Sequence, residues 1–176
     1  WLRPAPATGS ELCLRAPPAN RPVAAPRACP LLLSSFDRSR RALDRMSQRL
    51  ASCSCGQLTA QVVGDPVRVS ICHCLACQRR TGSVFGQQAR FRRENVSLFG
   101  LSAEYVRVGD EGSRIRFHFC PRCGSTVYYE PEGLEEYLAI PVGAFADPGF
   151  PAPSVSVYED RMHGWVVPPA DAQHIP

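Results

Sequence analysis

Nine cysteines stand in this 176-residue sequence, and seven of them fall into three tight groups. The groups are Cys53-x-Cys55, Cys72-x-Cys74-x2-Cys77 and Cys120-x2-Cys123. CxC and CxxC are spacings at which two thiolates reach one metal ion, so they point to zinc and a reducing compartment rather than to a disulfide-stapled, secreted fold. The last group reads Phe119-Cys-Pro-Arg-Cys-Gly-Ser125. This is the form of a zinc knuckle, in which a tight turn aims two thiolates at one ion and the following Gly124 tolerates positive φ. Free cysteine is often buried as a small apolar residue, but that role does not require ligand spacing three times over.

The arms Cys53/Cys55 and Cys120/Cys123 together supply the four thiolates of a closed structural zinc. The middle run, SICHCLACQRRTG over Ser70–Gly82, then keeps three. Three protein ligands with an exchangeable fourth position are the pattern of a catalytic zinc, so two zinc ions per chain are expected. Spacing alone also allows one middle cysteine to join a distant arm. His73 is the nearest candidate for a fourth ligand. In an extended segment, however, its side chain points away from those of Cys72 and Cys74, and a place behind the ligands or at the surface is expected instead. His118, opposite Phe117 and Phe119 on its strand, is expected at the surface. His163 is too isolated to assign.

The elements that must position these groups follow a period of two. Leu58, Ala60 and Val62 alternate with polar residues, as do Val67, Val69 and Ile71, and Ile115, Phe117 and Phe119. Further strands are predicted over 84–91, 104–108, 125–130, 137–142 and 154–158, separated by turn signals such as Gly109-Asp110 and Asp147-Pro148-Gly149. Long helical patterns are missing. The pattern predicts an all-β, mainly antiparallel fold, with a short helical turn after Cys77 and another near 132–136.

Residues 1–45 read differently. They hold seven of the 17 prolines and little periodicity, a composition that rarely packs a core. We expect one zinc-binding domain over 46–176, beginning near Met46, with 1–45 an over-read of the coding sequence or a disordered tail. An Arg-rich, acid-poor transit peptide is the competing reading. The charge divides at the same place. Residues 1–45 carry eight arginines against three acids, leaving twelve arginines against thirteen acids in the rest. A nucleic-acid binder carries its excess positive charge on the folded part, so no nucleic-acid partner is expected. No run approaches the roughly 20 apolar residues of a membrane span, and Leu31–Leu33 is too short for a signal-peptide core. A cytoplasmic protein without a membrane partner is expected.

The order CxCG, then CHCxxCxRxTG, then FCPxCGS followed by an aromatic strand, resembles the glutathione-dependent formaldehyde-activating enzymes and the wider group that includes centromere protein V. The resemblance covers about residues 50–167. It implies a β-tent fold of the Mss-four-like type, with Cys53, Cys55, Cys120 and Cys123 on a structural zinc and Cys72, Cys74 and Cys77 on a catalytic one. It implies a carbon–sulfur lyase that joins the thiol of glutathione, or a similar small thiol, to formaldehyde or another aldehyde. Arg79 and Arg80 follow the third ligand, with Arg90, Arg92 and Arg93 beyond, and arginine grips carboxylates bidentately. Thr81-Gly82 matches the family's turn after the ligands, where backbone N–H groups meet substrate. Trp165 resembles the family's C-terminal aromatic and is expected in the core. The alternative from another class is a non-catalytic, zinc-stabilised binding module, in which a fourth protein ligand such as His73 closes the second site.

Overall fold

The computed structural model describes residues 47–109 and 112–176, so the expected extension over 1–45 and the start near Met46 lie outside the described residues. The strands run in the order β1 (Gln48–Ser52), β2 (Thr59–Val63), β3 (Arg68–Cys72), β4 (Gly86–Arg92), β5 (Val96–Phe99), β6 (Ala103–Val108), β7 (Arg114–Phe119), β8 (Thr126–Pro131), β9 (Tyr137–Pro141), β10 (Val155–Val157) and β11 (Gln173–Ile175). Among the described residues one α-helix, α1 (Leu75–Thr81), interrupts them. The all-β expectation holds. Each alternating segment read from the sequence is a strand.

Two sheets form. β1, β2 and β5 make a three-stranded sheet in the order β1-β2-β5, and the other eight strands lie in the order β11-β10-β3-β4-β9-β8-β7-β6. The sheets bury one face each against the other. Ala51, Leu58, Ala60 and Val62 of the β1–β2 hairpin meet Phe91, Leu138 and Ile140 of the large sheet, all at most 1% exposed. This is the alternation of the sequence turned into a core, because residues i and i+2 share a face. The opposite face of the large sheet carries a smaller cluster of Phe117, Tyr129 and Ala139, and this is the face that bears the site.

The pairing is mainly antiparallel, as expected, with β10 lying parallel to both β3 and β11. Several other expectations are corrected. The segment 132–136 is a pair of turns rather than a helical turn, because Gly133 takes φ 76° and stops helical winding. Short 3-10 turns occur instead at Arg93–Asn95, Val142–Phe145 and Glu159–Arg161. The helix begins before Cys77, at Leu75. His118 is not a free surface residue, for its ring stacks on Tyr128 at 4.3 Å and lies 3.6 Å from Glu130. Trp165 is 71% exposed and is no core plug.

The link from β5 to β6 crosses between the sheets, and one glutamine holds it. Gln57 donates from Nε2 to the carbonyl of Leu101 at 2.8 Å and accepts from Leu101 N–H at 2.7 Å. Gly100 precedes this clamp at φ 93°, and a Cβ there would stand 1.9 Å from the carbonyl oxygen of Gln57. Both the left-handed backbone and the backbone clash oppose any side chain. Gly100→Ala is therefore expected to cost about 2–5 kcal/mol, read as a lowered denaturation midpoint at unchanged slope.

Burial raises the carboxyl pKa of Glu130, but Arg93 at 2.8 Å and His118 overcome it and hold it below the usual carboxylate range. A depressed acid stabilises the fold above its unfolded pKa and loses that contribution as pH falls through its folded value. Glu130→Gln should thus cost about 1 kcal/mol or less near pH 7, with the gap to the parent closing in melts below pH 4.

Candidate functional site

The loop between β1 and β2 carries Cys53 and Cys55, and the loop between β7 and β8 carries Cys120 and Cys123. The first hairpin belongs to the small sheet and the second to the large one. Their four Sγ atoms lie within 4.8 Å of one another, with Cys53 to Cys55 and Cys55 to Cys120 both at 3.6 Å. Thiolates placed 2.3 Å from a central ion at tetrahedral corners stand about 3.8 Å apart, so the set fits zinc. Backbone N–H groups point at the sulfurs: Leu58 donates to Cys53 at 3.2 Å and Arg122 to Cys120 at 3.4 Å. Hydrogen bonds from the backbone and side chain of Ser125 hold Cys123 down to about 5. Negative charge on sulfur is thus prepared for in the chain itself. Ser54 and Ser125 add a hydroxyl contact of 2.8 Å across the junction.

The other three cysteines gather at the start of α1, again with all Sγ atoms within 4.8 Å. Cys72 ends β3, Cys74 caps the helix by accepting from Cys77 N–H, and Cys77 lies in the first turn. A thiol takes the place usually held by Ser, Thr or Asp, so one residue serves as both cap and ligand. The helix then ends at Gly82 in the left-handed conformation. In this trio, the hydrogen bond from Cys72 pulls Cys77 down to about 5 against burial, with help from Cys74 and the Arg80 guanidinium. Cys72, burdened by the same pairing and by burial, is pushed up. One thiolate is favoured before any metal arrives, and the three sulfurs suit the same soft ion.

A cavity of about 370 Å³ opens over this trio. Its walls come from α1, the site face of the large sheet and the β6–β7 hairpin. Arg79 and Arg80 line it as expected. Arg80 spreads over Phe117 and Tyr129, at 4.9 and 5.4 Å from the ring centroids, and its buried Nε has no hydrogen-bond partner among the described residues. Gly86 permits this approach, since a Cβ there would meet Cys77 Cβ at 3.2 Å and Arg80 Nη2 at 3.3 Å. Thr81 and Gly82 are placed elsewhere. The Thr81 hydroxyl bonds the carbonyls of Cys77 and Phe85, and the Gly82 N–H bonds the carbonyl of Gln78, so both build the helix end rather than the cavity wall.

Sequence reasoning missed Arg107, Gln88 and Tyr129, which line the same cavity. Tyr129 donates a short hydrogen bond to Gln88 Oε1, and Gln88 donates to Ser70 Oγ at 3.0 Å. Burial pushes the Tyr129 phenol up and keeps it protonated. These residues lie on strands with no local motif, and only strand register brings them beside the cysteines. Cross-strand pairing Ser70–Gln88 and Cys72–Gly86 fixes that register.

His73 is fully buried and does not join the cysteines. Its Nε2 meets Ser156 Oγ at 3.2 Å, and its backbone is held by Val157 and Gln78. The expected turn away from Cys72 and Cys74 is present, but into the protein rather than toward solvent. Arg93 pairs with Glu130 on the β8 side and is absent from the cavity. His163 meets Gln78 Oε1 at 3.2 Å, which ties the C-terminal segment to α1.

Two sheets joined by four cysteines, with three more at the mouth of a guanidinium-lined cavity, define an all-β protein with two thiol clusters that can each hold a metal ion. The family model for the glutathione-dependent formaldehyde-activating enzyme matches residues 48–161, and the chain belongs to that family, which includes enzymes. Among solved structures, a Rhodobacter sphaeroides protein is similar at 19% identity and a TM-score of 0.44, over 58% of this chain and 90% of that one. Among the described residues, no helix is long and apolar enough to cross a membrane.

Proposed function

We propose that the protein is a zinc-dependent carbon–sulfur lyase or thiol-adduct enzyme that joins glutathione, or a similar small thiol, to formaldehyde or another aldehyde. The observation that carries this reading is the uneven division of the cysteines. Four close on each other away from the cavity, and three stand at its wall with no fourth ligand among the described residues. Zinc bound by Cys72, Cys74 and Cys77 would supply a soft exchangeable position that favours a substrate sulfur in its thiolate form.

The chain's own residues do the rest. Arg79 and Arg80 bind carboxylates of the thiol, and Arg107 adds a third guanidinium from β6. Thr81 and Gly82 act by fixing the helix end that carries the first two. Phe117 and Tyr129 shield one side of the cavity from water and keep Arg80 spread and oriented. In the reaction the sulfur forms a bond to the aldehyde carbon, the C=O π pair moves onto oxygen, and the proton lost from sulfur ends on that oxygen. The reverse direction breaks the same C–S bond.

The test is exchange NMR on glutathione and formaldehyde with the zinc-loaded protein. Exchange faster than the spontaneous rate is expected. Exchange at the spontaneous rate would reject this substrate pair.

A further inference from the structure

Arg68 on β3 and Arg90 on β4 are direct cross-strand partners. Like charges placed directly opposite on a sheet repel, and such pairs are normally avoided or bridged by an acid. Here no acid bridges them: among the described residues, neither arginine has a carboxylate partner. The Nε of each is buried and, among the described residues, without a hydrogen-bond partner. Arg92, two residues along β4, brings a third guanidinium to the same face, and Arg90 and Arg92 both lie about 6 Å from the Tyr137 ring centroid.

The position of the pair is informative. Arg68, Ser70 and Cys72 alternate along β3, and Arg90, Gln88 and Gly86 face them along β4, so the pair shares a face with the cysteine trio. Cys72 stands four steps along the strand from Arg68, a run of roughly 13 Å. Between them stands the row Ser70–Gln88–Tyr129, hydrogen-bonded from end to end. Tyr129 and Gln88 also line the cavity, so this row is the wall shared by the cavity and the arginine pair. Burial and the neighbouring Arg68 both press the Arg90 pKa downward, as expected of a guanidinium lacking its counter-ion.

We propose that Arg68 and Arg90 form an oxyanion subsite that receives a carboxylate of the thiol substrate, beyond the polar row that borders the cavity. The thiol part of this assignment rests on the function proposed above. The subsite selects for a thiol that carries an acidic group well away from its sulfur, and against thiols without one.

The test uses the full chain loaded with cobalt(II), whose charge-transfer absorption reports binding of a thiol, in the parent, Arg68→Gln and Arg90→Gln. Glutathione is expected to bind at least tenfold more weakly to each variant, while 2-mercaptoethanol, a thiol without a carboxylate, binds all three within twofold. Equal losses for both thiols, or no loss for glutathione, would overturn the proposal. Separately, NMR of the arginine Nε–H groups in the zinc-loaded protein follows titration with glutathione and with inorganic phosphate. Saturable shifts at Arg68 and Arg90 with glutathione support the subsite. Shifts with phosphate alone would keep an oxyanion site there and overturn its place in thiol recognition. No shift with either anion would overturn the site itself. If no thiol perturbs the cobalt spectrum, the proposed function fails while the phosphate titration still decides the site.

Discussion

Cys120→Ser is expected to abolish cooperative folding or to lower the melting temperature by roughly 10–20 °C, and prolonged chelation of the parent should do the same. Cys120 is fully buried, accepts from Arg122 N–H, and lies 3.6 Å from Cys55 on the other sheet. Its removal leaves the other three cysteines with an incomplete shell. The loss also uncouples the two sheets at the point where their hairpins meet. Binding free energy at such a site is folding free energy, and several kcal/mol are at stake. Differential scanning calorimetry with metal analysis checks this. A melt within 3 °C of the parent, with one metal equivalent lost, would show that the hydrophobic core between the sheets suffices alone.

Cys77→Ser is expected to have the opposite signature. Glutathione–formaldehyde exchange above the spontaneous rate should fall by at least about 100-fold, while the melting temperature stays within about 3 °C. Cys77 lies in the first turn of α1, only partly buried, and no sheet depends on it. Its loss removes the sulfur on which the trio's negative charge settles. The measurement is exchange NMR beside a thermal melt and a metal count. Full activity with one metal equivalent gone would exclude the trio from the chemistry.

The contrast between these two variants follows from how the cysteines divide, and that division was legible in the sequence. CxC and CxxC pairs act locally, so their spacing announces them. Alternation likewise revealed the strands whose inward residues build the core, such as Leu58, Ala60 and Val62. It missed β1, where the inward residue is Ala51 and the larger Leu50 points out at 57% exposure. It missed β5 and β11 because edge strands with exposed residues carry no burial pattern. The cavity was only half visible. Arg79 and Arg80 follow a ligand directly, whereas Gln88, Arg107 and Tyr129 reach it through strand pairing over long sequence separations. For His73 the sequence left a place behind the ligands and a place at the surface both open, because the segment that buries it, around Ser156, lies far along the chain.

The parallel pairing of β10 with β3 bears on the order in which the molecule assembles. Val155 pairs with Ser70 and Val157 with Cys72, at a sequence separation of 85. Contacts this distant form late, because the closure entropy of the connecting loop must be met first. On the ribosome, β3 would emerge long before its second neighbour and wait with one edge open and His73 without Ser156. The four-cysteine junction needs the chain only as far as Cys123, so it can close earlier. The trio has all its sulfurs once Cys77 has emerged, yet the strand edge beside it closes only when β10 arrives, so the support of the cavity wall is finished after its ligands are in place.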